Sequence, residues 1–149
     1  ILLNDEVNGN MFRPELYEDL ILPDEMELGR FQGISYWHSC GDVTDFLELI
    51  RRIPGLQIFH VGPWTDVGRA ADVMEDLVLQ VCLDPVRDVQ RAGDEHIGDR
   101  LEEVFQACEN TAFTLRADGL HTIDNLEREL EAVDHWLEKA RDMRDQFAF

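Results

Sequence analysis

Four short apolar runs, each followed by a helical pattern, are the feature that most constrains the fold of this chain. The runs extend from about Gly33 to His38, Leu56 to Val61, Leu77 to Leu83 and Thr111 to Leu115. Strands that read as nearly continuous apolar stretches are typical of parallel sheets whose faces are covered by helices. The sequence therefore predicts an α/β fold built from four strand–helix units.

Apolar residues at helical spacing lie before, between and after these strands. The first nine residues contain Asn8-Gly9 and indicate a loop, and Pro14 lies in the first turn of the first predicted helix. Asp42 is a suitable N-cap for the helix that follows the first run. The predicted helices cover about residues 12–21, 43–53, 67–75, 95–109 and 124–144. Pro23 interrupts the first, and the stretch from there to Gly29 can restart as a second helix piece.

Two architectures fit this order of elements. One is an open doubly wound sheet, and the other is a closed eight-stranded α/β barrel, which typically takes about 250 residues. Both place the active site at the carboxyl ends of the strands. No Gly-x-Gly-x-x-Gly follows any predicted strand, so the dinucleotide-binding fingerprint is absent from the sequence.

Composition narrows the choice of partners and compartment. The chain of 149 residues is long enough for a single domain with its own core, and its formal net charge is −19. This charge argues against nucleic acid or an anionic membrane as a partner, and no apolar run approaches the roughly 20 residues of a membrane-spanning helix. Three cysteines and no signal-peptide pattern favour a reducing, cytoplasmic setting. The opening at Ile1 in mid-pattern predicts that these residues belong to a longer protein.

Residues able to carry chemistry collect at the predicted carboxyl ends of all four strands. They are His38 and Cys40, then His60, Trp64 and Asp66, then Cys82 and Asp84, and finally Arg116, Asp118 and His121. Since parallel strands end at one edge of a sheet or one rim of a barrel, these residues are expected near one another.

The pair His38 and Cys40 has the spacing of metal ligands, and side chains two apart on a strand point to the same face. Imidazole and thiolate are the usual ligands of zinc, and a catalytic zinc takes about three protein ligands and one open position. Cys82, His121, Asp118 and Asp66 are all plausible third ligands.

Structural roles compete with functional ones at several of these positions. Asp66 and Asp84 also fit turn or N-cap roles, and Cys82 fits a small buried hydrophobe within an apolar run. Cys108 falls on the apolar stripe of its helix and is expected in the core, whereas His96 and His135 fall on solvated helix faces.

Several motifs resemble those of the uroporphyrinogen decarboxylase superfamily. They are Phe12-Arg13-Pro14-Glu15-Leu16-Tyr17-Glu18 with Leu22-Pro23, then His38-Ser39-Cys40-Gly41-Asp42-Val43, then Leu83-Asp84-Pro85 and Asp124-Asn125-Leu126 before the last helix. The His-Ser-Cys-Gly stretch is most similar to the cobalamin (corrinoid)-dependent methyltransferase branch. The resemblance covers about residues 10 to 145, and His-x-Cys-Gly is its most specific part.

The resemblance implies that residues 1–149 form the C-terminal half of a TIM-type (β/α)8 barrel. Such a half has unpaired sheet edges and an uncovered inner face. It would need the remainder of the barrel, a separate subunit or a second copy of itself.

In the methyltransferase branch, the His-x-Cys pair and a later cysteine hold zinc, which implies His38 and Cys40 as ligands here. The family's later cysteine follows the last strand, but the stretch from Leu115 to His121 contains none. The resemblance therefore leaves Cys82, Asp118 or His121 to complete the site, or an altered site.

The expected function is zinc-dependent methyl transfer between a small methyl donor or thiol and a corrinoid protein. The assigned metal ligands are His38, Cys40 and Cys82; the assigned catalytic residues are Asp118, His121 and Arg116; the assigned substrate contacts are His60, Trp64, Asp66 and Asp84. Methanol, methylamine, an aryl methyl ether and a methylated thiol all remain open as donors. Two alternatives are metal-free decarboxylation of a porphyrinogen carboxylate and a non-catalytic half-barrel subunit that binds a partner chain.

Overall fold

The computed structural model of the chain describes residues 1–4, 7–121 and 124–147. Within these residues, five parallel strands form one sheet in the order of the chain: β1 (Leu2–Leu3), β2 (Tyr36–His38), β3 (Ile58–Val61), β4 (Val78–Leu83) and β5 (Phe113–Ala117). Each strand pairs only with its sequence neighbours within this sheet, so the strand order does not reverse. The prediction of an α/β fold with parallel strand–helix units is confirmed.

In the described part of the chain, six α-helices connect and flank these strands. They are α1 (Pro14–Leu20), α2 (Leu22–Gln32), α3 (Leu47–Ile50), α4 (Val67–Val73), α5 (Asp94–Ala107) and α6 (Leu126–Phe147). Helices α3 to α6 contact one another in chain order. Right-handed crossovers between strands added in sequence place their helices on the same face of the sheet.

Side-chain alternation divides the sheet into a core face and an open face. On the core face, register pairs Trp37 with Phe59 and Phe59 with Leu79, and all three are buried with apolar residues of α4, α5 and α6. The opposite face, here called the open face, carries Tyr36 and His38 of β2, His60 of β3, Gln80 and Cys82 of β4, and Thr114 and Arg116 of β5. Several of these residues keep some solvent exposure, and two of them are buried: His60 and Cys82.

Two local predictions were wrong. Leu2–Leu3 forms a strand beside β2 where a loop was expected, because two residues are too few for a periodic signal. After Asp42 the chain forms a 3-10 turn (Thr44–Phe46) and only one turn of α-helix, and the Asp42 carboxylate accepts bonds from Thr44. The predicted interruption near Pro23 is confirmed: α1 ends at Leu20 and α2 begins at Leu22, with Pro23 in its first turn, where a proline needs no N–H partner.

The segment after Asp84 also differs from its sequence interpretation. A π-helical turn (Val86–Gln90) follows β4 before the chain enters α5. Its Asp88 is completely buried and accepts hydrogen bonds from Arg87 Nε at 2.8 Å and His96 Nε2 at 2.9 Å. His96 was expected only on a solvent-exposed helix face, but its ring also bonds this buried carboxylate.

Candidate metal centre

The turn after β2 brings His38 and Cys40 together at the carboxyl end of the sheet. Nε2 of His38 lies 3.2 Å from Sγ of Cys40, and Nδ1 lies 3.3 Å from the Tyr36 hydroxyl. The ring of His38 also packs on the ring of His60, with centroids 4.0 Å apart. The predicted metal-ligand pair is thus a contacting pair that adjoins the next strand end.

Ser39 fixes the shape of this turn. Its hydroxyl donates to the Val7 carbonyl at 2.7 Å and accepts from the Gly41 N–H at 3.0 Å, and Ser39 is completely buried. Because a buried hydroxyl with both bonds satisfied holds a defined position, the turn is anchored to the N-terminal segment.

His60, at the end of β3, is the most constrained titratable residue of the site. It is 2% exposed, and its Nδ1 lies 2.9 Å from the carbonyl oxygen of Ser39. A carbonyl only accepts, so Nδ1 carries the proton and Nε2 presents a lone pair in the neutral ring. Among the residues that the structure describes, Nε2 has no hydrogen-bond partner.

Burial, followed by the neighbouring His38, lowers the pKa of His60 to about 4. The ring is therefore neutral at pH 7, which is the protonation state that a metal ligand requires.

The structure brings His60 together with the ends of the next two strands. Ligand atoms of His60, Cys82 and Asp118 all lie within 4.8 Å of one another, and His60 and Cys82 are buried. Burial raises the pKa of the Cys82 thiol, and Sγ is 3.8 Å from the carbonyl of Leu83. Imidazole, thiol and carboxylate form a donor set that fits zinc, and the lone pair of His60 fits a ligand role. These three residues are called the His60 group below.

Asp118 is held by Arg116, whose Nε donates to Oδ1 at 2.8 Å. Nη1 of the same guanidinium donates to Oε1 of Gln80 at 2.8 Å, and that oxygen also accepts from the Tyr36 hydroxyl at 2.8 Å. A polar network therefore runs across the open face from β2 to β5. It gives Arg116 a positioning role toward Asp118, although the sequence assigned Arg116 to catalysis.

Three of the other predicted site residues lie in loops between helices and strands. The Asp66 carboxylate accepts from the Arg69 N–H at 2.9 Å and caps α4, as its N-cap interpretation predicted. Oδ1 of Asp84 accepts from the Val86 N–H at 2.9 Å and closes the turn after β4. His121 is exposed, with Nδ1 2.6 Å from the Gly119 carbonyl oxygen.

Trp64 lines a separate cleft of about 670 Å³ with Asp66, Arg87 and Arg100 among its other lining residues. The indole is 56% exposed and lies 5.2 Å from the guanidinium carbon of Arg87. The cleft lining does not include the His60 group. Substrate contacts by Trp64, Asp66 and Asp84 stay predictions.

The sequence interpretation gave His60 a substrate contact and did not consider it as a ligand. A signal for this role was present, because His38 and His60 end adjacent parallel strands and share one sheet face. Gln80 was not singled out at all, since a glutamine within an apolar run gives no sign that it will bridge Tyr36 and Arg116.

Replacing Gly41 by alanine should destabilise the turn that carries Cys40. A Cβ at position 41 would lie 2.0 Å from Cβ of Asn8, so the N-terminal segment would have to move. We expect Gly41→Ala to lower the free energy of unfolding by about 2 kcal/mol in urea titration. Gly98→Ala is the control: nothing lies within 4 Å of its added Cβ, and alanine favours the helix. Equal stability of the two variants would contradict the crowding at Gly41.

Comparison with protein-family models and with curated proteins finds no match for this chain. Within the described part of the chain, no helix combines the length and the apolar character needed to cross a membrane.

Proposed function

We propose that this chain is part of a zinc-dependent enzyme that transfers a methyl group between a small methyl donor or thiol and a corrinoid protein. The observation that carries the proposal is the contact between His38 Nε2 and Cys40 Sγ at 3.2 Å, on the sheet face that also holds the His60 group. Two elements of sequence support it: the His-x-Cys-Gly motif and its resemblance to the corrinoid-dependent methyltransferases.

The chain's own residues would bind and orient the reactants. His38 and Cys40 present nitrogen and sulfur at the strand end, and the buried Ser39 holds the turn between them in place. A bound zinc ion would supply a positive charge that favours the thiolate form of a bound thiol at neutral pH. A corrinoid on the partner protein would supply the methyl group: a sulfur–carbon bond would form as the cobalt–carbon bond breaks with its electron pair kept by cobalt, and the thiol proton would pass to solvent.

We further propose that the sheet is half of a TIM-type barrel. Five parallel strands in sequential order, helices contacting in chain order and a polar open face are what half of such a barrel would present. The remainder of the barrel, a separate subunit or a second copy would cover the open face and pair with β1 and β5.

One observation favours a second candidate, a non-catalytic half barrel that binds a partner chain. Asp118 stands in the stretch where the methyltransferases that this chain resembles have a cysteine. A chain that had lost its metal chemistry could keep the fold and its open face as a binding surface.

Methyl transfer is tested by following loss of the methylcobalamin spectrum when 2-mercaptoethanol is added to the purified protein. We expect transfer above the uncatalysed rate, and a loss of more than about 100-fold in the His38→Ala, Cys40→Ala double variant. His135→Ala is the control, because His135 lies on α6 and its Nε2 contacts Asp94 at 2.7 Å.

Native protein free of zinc and without transfer activity would overturn this proposal. Turnover of a porphyrinogen without metal would instead indicate the decarboxylase alternative. An obligate complex with neither metal nor turnover would favour the non-catalytic half barrel.

A further inference from the structure

We propose that His60, Cys82 and Asp118 are themselves three ligands of a divalent metal ion, with zinc the favoured ion. The sequence interpretation placed the metal at His38, Cys40 and Cys82, whereas the structure brings Cys82 together with His60 and Asp118. The biological role of the ion rests on the proposed function, but binding by the His60 group does not require methyl transfer.

The main observation for a metal at this site is Nε2 of His60, which is buried and has no hydrogen-bond partner within the described residues. The side chain is 98% removed from solvent, its Nδ1–H is used by the Ser39 carbonyl, and Nε2 has no partner within the described residues. A buried polar atom without a partner carries a free-energy cost, and native structures seldom leave one unexplained. A metal ion bonded to Nε2 would remove that cost.

The chemistry of the other two donors selects the ion. One imidazole, one thiolate and one carboxylate are all accepted zinc ligands, and three protein ligands leave one position open for a reactant. Ca²⁺ and Mg²⁺ prefer oxygen donors throughout, so the nitrogen and sulfur of this set disfavour them. Binding would replace the proton of the Cys82 thiol, which would pass to solvent.

His60 and Asp118 are each oriented by a hydrogen bond of the kind that metal ligands commonly make. Ligating histidines usually donate their second N–H to a carbonyl or carboxylate, and ligating carboxylates are hydrogen-bonded in turn. His60 donates to Ser39, and Asp118 Oδ1 accepts from Arg116 Nε at 2.8 Å. A purely structural role explains the pair of Arg116 and Asp118 but gives Nε2 of His60 no function.

Titration of the metal-free protein with Co²⁺, followed by competition with Zn²⁺, tests the assignment without an activity assay. We expect the His60 group to bind one ion, separately from any ion at His38 and Cys40, and to give near-ultraviolet absorbance from a thiolate-to-cobalt transition. His60→Ala and Asp118→Asn should each weaken binding by more than about 100-fold, and Cys82→Ser should also abolish the absorbance. The His38→Ala, Cys40→Ala double variant should retain both binding and absorbance.

Circular dichroism melting shows which variants fold. Asp118 is only partly buried, so Asp118→Asn keeps the test decisive if replacement of a buried residue prevents folding. Undiminished binding by His60→Ala or Asp118→Asn, together with loss of binding in the double variant, would overturn this assignment and leave the proposed function standing. Metal held by the His60 group in a protein without methyl transfer would overturn the proposed function alone, and a protein that binds no Co²⁺ or Zn²⁺ would overturn both.

Discussion

Trp37→Ala is expected to lower the free energy of unfolding by about 4 kcal/mol, the cost of emptying a large buried aromatic site. Trp37 is 0% exposed and stacks on Phe59 with ring centroids 5.7 Å apart. Its indole N–H also donates to the buried Glu25 carboxyl at 3.2 Å, so alanine would remove a donor as well as a volume. Because Trp37 and His38 are consecutive residues of β2, the variant should also loosen the position of His38.

Trp64→Ala is the matched control, since Trp64 is 56% exposed and its ring contact is with the surface residue Arg87. We expect this variant to differ from the native protein by about 0.5 kcal/mol or less in urea titration. Similar losses in the two tryptophan variants would contradict the distinction between a core face and the solvent-exposed rim.

Asp88→Asn should be the second most damaging of these substitutions at neutral pH. Burial alone would raise the pKa of the Asp88 carboxyl, but hydrogen bonds from Arg87, His96 and the Asp84 N–H lower it to about 2. Relative to the ordinary value of 3.8, that difference corresponds to about 2 kcal/mol of folding free energy from the ionised form. Asparagine keeps the shape but cannot carry the charge that these donors stabilise.

The stability lost in Asp88→Asn should become smaller as the pH falls. Since the pKa in the folded protein lies below that in the unfolded chain, the ionised carboxyl contributes fully above about pH 4, and its contribution is lost as the pH falls through about 2. Urea unfolding of native and Asp88→Asn protein at pH 7 and pH 2 measures the difference between their free energies of unfolding. We expect that difference to be much smaller at pH 2 than at pH 7.

Asp76→Asn is the control for a surface ion pair, because the carboxylate of Asp76 meets Arg51 at 2.6 Å with 60% of its side chain exposed. Exposed pairs contribute about 0–1 kcal/mol. A difference between native and Asp88→Asn protein that did not shrink in acid would show that the charge of Asp88 is not the cause.

The sequence predicted the sheet well and the site only in part, for physical reasons. Continuous apolar runs are typical of the strands of a parallel sheet, and the four later strands were predicted within about three residues of their ends. Alternation of side chains and the shared direction of parallel strands also predicted that His38, Cys82 and Asp118 would end at one edge. These inferences need only local periodicity and a rule of topology.

What the sequence could not supply was the outcome of packing across neighbouring strands. The Ser39 carbonyl oxygen lies 2.9 Å from Nδ1 of His60 and fixes which ring nitrogen carries the proton, and this contact joins residues 21 positions apart. The link from Tyr36 to Gln80 spans 44 positions, and the link from Arg116 to Gln80 spans 36. Such contacts depend on strand register and side-chain rotamers, and neither produces a periodic pattern in the sequence.

Ser39 joins three parts of the molecule: its carbonyl faces His60, its hydroxyl reaches Val7, and the Gly41 N–H bonds to that same hydroxyl. Ser39 thus links the position of the N-terminal segment to the hydrogen bond made by Nδ1 of His60. Mutations that disturb the backbone near Val7 should therefore impair the site in the same way as mutations of His38 or His60. No side chain near Val7 belongs to the His60 group. A genetic screen for loss of the site would then map partly to a segment that sequence inspection treats as a loop.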